Sequence, residues 1–271
     1  MPVVDIGGHQ VHYLDQGEGG PALVLLHAFP LRAAMWSPQL GALAATRVVA
    51  PDLLGFGASD APDDLSAYSV NVWADLVAGL LDHLGLERVI LGGLSMGGYA
   101  ALAFHRRHRS RLAGLVLADT RPGPDTSEAA ERRRAQIGQV RERGTGELVE
   151  TLLGGLLGEY TRRHRPEVVA ATRALMDSSP AGFMGALDAM IRRPDSTPDL
   201  ATIDVPTLVV VGEQDALSPP DVARAMHAAV PGAELAVVPG AGHVSNLEAP
   251  AAFNAALADF VGRCLEGWDQ R

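Results

Sequence analysis

Ser95 stands between two glycines in Gly93-Leu94-Ser95-Met96-Gly97, after the apolar run Val89-Ile90-Leu91 and before an Ala- and Leu-rich segment of helical character. A serine hydroxyl is a weak nucleophile at neutral pH unless a base takes its proton. The G-x-S-x-G spacing predicts a strand, a sharp turn and a helix, because residues without side chains two before and two after the serine let the two elements approach closely. Neither G-x-G-x-x-G nor G-x-x-x-x-G-K-[ST] is present to make these glycines a phosphate cradle. Of the nine histidines, His243 alone lies in a glycine-bounded loop, Gly240-Ala241-Gly242-His243, just past a predicted strand, and is the candidate base. A base of this kind needs a carboxylate to hold its tautomer and to stabilise the imidazolium. Asp215, four residues beyond Val211, gives the chain order Ser, Asp, His; Asp119 also follows a strand and is its rival. An oxyanion would be met by the backbone N–H of Met96 and, from the loop after Leu26, by that of Phe29. His105 and His108 sit three apart on a predicted helix with no third ligand, and read as solvated charge among Arg106, Arg107 and Arg109 rather than as a metal site.

These groups need a scaffold that brings distant loops to one edge. Residues 3–6 and 10–14 flank Gly7-Gly8 and read as an edge hairpin. The continuous apolar run 22–26 reads as a strand buried on both faces, and 47–50, 112–117, 207–211 and 234–238 read as further strands. Helices are predicted over 33–43, over 70–84 with Gly85 as the stop, near Pro220, and from Pro250 with Phe253, Leu257, Phe260, Val261 and Cys264 inward. Strands alternating with helices imply a mostly parallel sheet, whose functional groups lie beyond the carboxyl ends of its strands. Ser95, Asp119, Asp215 and His243 all satisfy that condition, while Asp52 is expected to organise its own loop. Between residues 121 and 199 the alternation breaks into a polar helix, 128–143, and three apolar stripes around Leu152, Val168 and Leu187. The expected division is a core of residues 1–120 and 200–271 with a helical cap over 121–199.

The 271 residues suffice for one large α/β domain carrying an insertion. A net charge of -10, with every one of the 22 Lys and Arg residues an arginine, argues against a nucleic-acid surface. Cys264 is the only cysteine, so no intrachain disulfide is possible. The first residues lack a basic segment followed by an apolar one, and no run reaches the roughly 18 apolar residues of a membrane span. A soluble, cytoplasmic protein without nucleic-acid or membrane partners is expected, and a homo-oligomer is compatible with all of this.

Five blocks in order, His27-Ala28-Phe29-Pro30, Pro51-Asp52-Leu53-Leu54-Gly55-Phe56-Gly57-Ala58-Ser59-Asp60, Gly93 to Gly98, Gly212-Glu213-Gln214-Asp215 and Gly240 to His243, resemble the α/β-hydrolase superfamily along almost the whole chain. The resemblance implies an α/β fold with a mostly parallel eight-stranded sheet flanked by helices and a helical cap. Within the superfamily the chain looks most like small bacterial carboxylesterases, cofactor-free haloperoxidases (perhydrolases) and 3-oxoadipate enol-lactonases. That implies a serine hydrolase acting on carboxylic esters of small to medium acyl groups, without metal or organic cofactor, with a lactonase or perhydrolase as the alternative. C–C bond hydrolysis and a non-catalytic ligand receptor stand further behind. Serine at position 95 speaks against haloalkane dehalogenases and epoxide hydrolases, whose nucleophile is aspartate. Ala28 departs from the glycine usual there, and Pro30 resembles the perhydrolase loop. The substrate, a small-molecule ester or lactone, is expected against His27, Leu152, Leu156, Phe183 and Leu187; an anionic lactone would need an inward arginine, for which Arg192 and Arg193 are candidates.

Overall fold

Gly7 and Gly8, at φ of 60° and 86°, turn β1 (Val3–Ile6) back onto β2 (His9–Gln16) as an antiparallel hairpin. The computed structural model describes residues 2–19, 21–43 and 46–268. After the hairpin come β3 (Leu23–Leu26), α1 (Ser37–Ala42), β4 (Val48–Pro51), α2 (Val70–His83), β5 (Val89–Leu94), α3 (Met96–His108) and β6 (Leu112–Ala118). The helices α4 (Ser127–Arg143), α5 (Gly146–Leu156), α6 (Glu159–His164), α7 (Pro166–Leu175) and α8 (Pro180–Ile191) follow without an intervening strand. The alternation resumes with β7 (Thr207–Gly212), α9 (Pro220–Ala229), β8 (Glu234–Val238), α10 (Ser245–Glu248) and α11 (Pro250–Trp268).

The eight strands form one sheet in the order β1-β2-β4-β3-β5-β6-β7-β8. Only the pairings of β2 with β1 and with β4 are antiparallel. Successive side chains of a strand point to opposite faces, so one apolar run feeds two cores. Val24 and Leu26 of β3 pack with Trp73, Phe104 and Phe183 on one face, while Leu23 and Leu25 pack with Trp36, Phe253 and Phe260 on the other. Cys264 lies in the second core. α2 begins where the Ser69 hydroxyl accepts the Val72 N–H at 3.0 Å, and Gly85 at φ 66° follows its end.

The inserted run holds one helix more than the apolar stripes predict. α6, Glu-Tyr-Thr-Arg-Arg-His, is short and buries only Thr161, so it carries no periodic apolar signal. α8 closes on the body of the protein where Gly182 meets Gly55 so tightly that a Cβ on Gly182 would lie 1.8 Å from the Gly55 carbonyl oxygen. Among the described residues no helix is long and apolar enough to cross a membrane.

The reading of His105 and His108 as solvated charge is corrected. His105 is buried, with Nε2 3.1 Å from the Thr202 hydroxyl, and burial first, then Arg109, holds its imidazole below the usual range. His108 Nε2 lies 2.8 Å from Asp75, a carboxylate brought in from α2 that spacing along α3 gives no sign of.

Candidate active site

The turn from β5 into α3 places Ser95 at φ 55° and ψ -113°. Both flanking glycines are required there: a Cβ on Gly93 would stand 2.1 Å from the Gly97 carbonyl oxygen, and one on Gly97 would stand 2.2 Å from that of Leu26. The main chain of Ser95 is held from the neighbouring strand, its N–H donating to the Ala118 carbonyl at 2.9 Å and its carbonyl accepting the Thr120 hydroxyl at 2.8 Å. The hydroxyl is left to face His243, whose Nε2 lies 2.8 Å away.

His243 Nδ1 in turn lies 2.8 Å and 3.0 Å from the two oxygens of Asp215. Asp215 Oδ1 also accepts the N–H groups of Leu217 and Ser218 at 2.8 Å and 2.9 Å, which fixes the carboxylate plane. His243 and Asp215 are both buried. Burial alone would lower the imidazole pKa, but the charge and hydrogen bond of Asp215, helped by Asp119 and opposed by Arg121, leave it raised above its usual value. The structure thus brings Ser95, His243 and Asp215 into one hydrogen-bonded line. Asp119 is fully buried beside that line and bonds elsewhere: its carboxylate accepts the Gly212 N–H at 2.7 Å, the Ser245 hydroxyl at 2.5 Å and the Ser245 N–H at 3.2 Å. Burial first and the charge of Asp215 second push its carboxyl up to about 7.

Leu26 pairs with Gly93 in parallel register, so the loops that follow β3 and β5 leave the sheet side by side. The N–H groups of Phe29 and Met96 both arise there, and neither meets another backbone acceptor among the described residues. The Phe29–Pro30 peptide is cis. His27, expected in the pocket wall, is fully buried as a support of this loop. Its Nδ1 meets the Ala28 carbonyl at 3.0 Å and its Nε2 accepts the Leu53 N–H at 2.9 Å, while burial holds the ring below its usual pKa and so neutral. The Phe29 ring packs edge-on against Phe183 with centroids 4.7 Å apart. Phe183 and Leu187 of α8 are fully buried, Leu156 nearly so, and Leu152 half-buried. Asp52 does organise its own loop, accepting the N–H groups of Ala33 and Ala58 at 2.7 Å and 3.0 Å.

Two arginines singled out for an anionic substrate are engaged elsewhere. Arg193 bonds Asp125 and the carbonyls of Met190 and Gly123 and lies 4.2 Å over the Tyr99 ring, while Arg192 bonds Asp188 and the Tyr68 carbonyl. Glu248 went unread in the sequence. It is buried, accepts the Gly158 N–H at 2.8 Å and the Gly242 N–H at 2.9 Å, and is pushed to a higher pKa by burial. The His243 N–H donates to the Leu156 carbonyl at 2.9 Å, so the end of α5 touches the His243 loop directly. Among the described residues no group of three or more His, Cys, Asp or Glu side chains is disposed to hold a metal ion.

The family model for the alpha/beta hydrolase fold matches residues 21–250. A thermophilic esterase from Thermogutta terrifontis, solved with malate bound, superposes with a TM-score of 0.91 at 40% identity, covering 97% of both chains. The enol-lactonase from Burkholderia xenovorans LB400 superposes with a TM-score of 0.88 at 29% identity over 96% of this chain and all of that one. In sequence, a 2-hydroxy-6-oxononadienedioate/2-hydroxy-6-oxononatrienedioate hydrolase of Pseudomonas putida is 32% identical over 266 residues, 93% of this chain and 91% of its own.

Proposed function

We propose, from the premise that the chain belongs to the alpha/beta hydrolase fold family, that it is a serine hydrolase cleaving carboxylic esters of small to medium acyl groups. The observation that carries the reading is the line from Ser95 Oγ through His243 to Asp215, with contacts of 2.8 Å at each end. In that mechanism His243 Nε2 takes the hydroxyl proton as Ser95 Oγ attacks the ester carbonyl, and then passes it to the leaving alcohol. Asp215 holds the imidazole with its proton on Nδ1 and offsets the charge of the imidazolium. The N–H groups of Phe29 and Met96 receive the oxyanion, an interaction whose loss typically costs about 10²–10³ in rate. Water then repeats the sequence on the acyl-enzyme and frees the acid. Residues 121–199 serve as the cap, with Leu152, Leu156, Phe183 and Leu187 on its apolar side toward the acyl group.

The likeness to an enol-lactonase favours a second reading, a lactonase using the same serine. An enol-lactone differs only in its leaving group, an enolate in place of an alkoxide. If the substrate carries a carboxylate, Arg121, whose charge is felt at His243, is its candidate partner in this reading.

The test is hydrolysis of p-nitrophenyl esters of increasing acyl length by wild type and Ser95→Ala. Turnover should fall by at least about 10³ in the variant. Undiminished turnover there would reject the mechanism, and inactivity of the wild type toward every ester but not toward lactones would favour the second reading.

A further inference from the structure

β6 lies between β5 and β7 in the sheet, so the three residues at its end, Ala118-Asp119-Thr120, sit among the loops that carry the other groups. Ala118 and Thr120 hold the main chain of Ser95 from both sides. Asp119 reaches the other two loops. Its Oδ1 takes the N–H of Gly212, three residues before Asp215, and its Oδ2 takes the N–H and hydroxyl of Ser245, two residues after His243. Asp119 adopts φ 44°, a left-handed conformation that is costly for a residue with a Cβ. Its own N–H is spent on the Val210 carbonyl of β7 at 2.9 Å, which fixes the turn against the strand leading to Asp215. All three donors to the carboxylate suit an anion, and no cation pairs with it among the described residues.

A carboxylate used merely as a structural tie gains little from being placed beside a second one. Burying two carboxylates together costs repulsion that a neutral Asn would avoid. Here the repulsive arrangement encloses a base that must become a cation in the course of the reaction.

We propose that Asp119 is a positioning residue for His243: it locks the Asp215 and His243 loops in register through Gly212 and Ser245, and, when ionised, supplies a second buried negative charge that stabilises the imidazolium. This rests on the serine-hydrolase reading for its role in turnover, but the action on His243 is a property of the folded chain alone. Three charged groups bear on the imidazole: Asp215 and Asp119 from the ends of β7 and β6, and Arg121 from the loop after Asp119, while Glu248 bonds the N–H of the preceding residue, Gly242. Above about pH 7, where the Asp119 carboxyl is ionised, Asp119→Asn removes one negative charge and leaves the other two groups in place.

The deciding measurement is the titration of the His243 imidazole by proton NMR, followed through its low-field Nδ1–H resonance in wild type, Asp119→Asn and Ser245→Ala. Loss of a nearby negative charge favours the neutral ring, so Asp119→Asn should lower the His243 pKa by about one unit. Ser245→Ala, which deprives the carboxylate of one donor, should lower it by less. With an ester substrate, kcat should fall about tenfold in Asp119→Asn with KM within about twofold, as expected when a base is detuned and binding is not. A purely structural tie would change the melting temperature and leave the His243 pKa where it was. An unchanged pKa in Asp119→Asn overturns the proposal, and if that variant does not fold, an unchanged pKa in Ser245→Ala does so. The titration needs no turnover, so a wild type inactive on esters would strike down the reaction assigned above while the effect of Asp119 on His243 is still decided.

Discussion

Two buried carboxylates grip the loop of His243 from opposite sides, and they grip it to different things. Asp119 accepts from Gly212 and Ser245 and binds one strand-end loop of the sheet to another. Glu248 accepts from Gly242 and Gly158 and binds the same loop to the corner between α5 and α6. Both are desolvated and both are raised in pKa, yet only Asp119 has a second carboxylate, that of Asp215, among the causes. The sheet side concentrates charge around the His243 imidazole. The insertion side uses a carboxylate as an acceptor for two main-chain N–H groups at a seam between helices and sheet. The difference teaches that the charge around His243 is set by the sheet, while the helices are fastened to the His243 loop through main-chain groups.

The contrast is broken most sharply at the acid itself. Asp215→Asn should lower kcat on a p-nitrophenyl ester by about 10³–10⁴, because the amide stabilises the wrong imidazole tautomer. A loss below tenfold would transfer the acid's role to Asp119. Next in size is a pH effect on stability. Asp119 titrates at about 7 in the fold against an ordinary 3.8, so between those values the folded protein binds its proton more tightly than the unfolded chain does. Its contribution is therefore fully present below about pH 4 and lost as pH rises toward 7, by an amount on the order of a few kcal/mol. Denaturant unfolding across that range should show the decline in wild type and a flatter profile in Asp119→Asn. Glu248→Gln should cost about 1–3 kcal/mol of stability, since an amide nitrogen then faces one of two buried N–H groups. Its kcat should drop less than in either sheet-side variant. A thermal melt beside a turnover assay checks both, and a kcat loss as large as that of Asp215→Asn would erase the distinction between the two sides.

The strands, their order of appearance and the sharp turn at Ser95 were legible because their signals are local. A Cβ at Gly93 or Gly97 has nowhere to go, and that steric demand is written in five consecutive residues. Asp215 stood ahead of Asp119 on chain order alone, not on a local signal. Each follows an apolar strand, and which one meets His243 depends on where β8 and its loop return to the sheet, a tertiary fact. Glu248 was invisible for a related reason: Ser-Asn-Leu-Glu reads as an ordinary polar turn of helix, and nothing nearby announces that two backbone N–H groups converge on it. His27 carried a signal of the wrong kind, being close to the oxyanion loop in sequence while its ring faces inward to hold that loop from beneath. His105 was masked by the arginines that follow it, Arg106, Arg107 and Arg109.

The bond from the His243 N–H to the Leu156 carbonyl joins helices to base through main chain on both partners. No exchange of the Leu156 side chain deletes that acceptor. A change of side chain at the end of α5 therefore leaves this tie to the His243 loop in place. If the proposed reading holds, that end of the helical run is a position to diversify in a library aimed at new substrates, because the fastening to His243 is carried by the backbone.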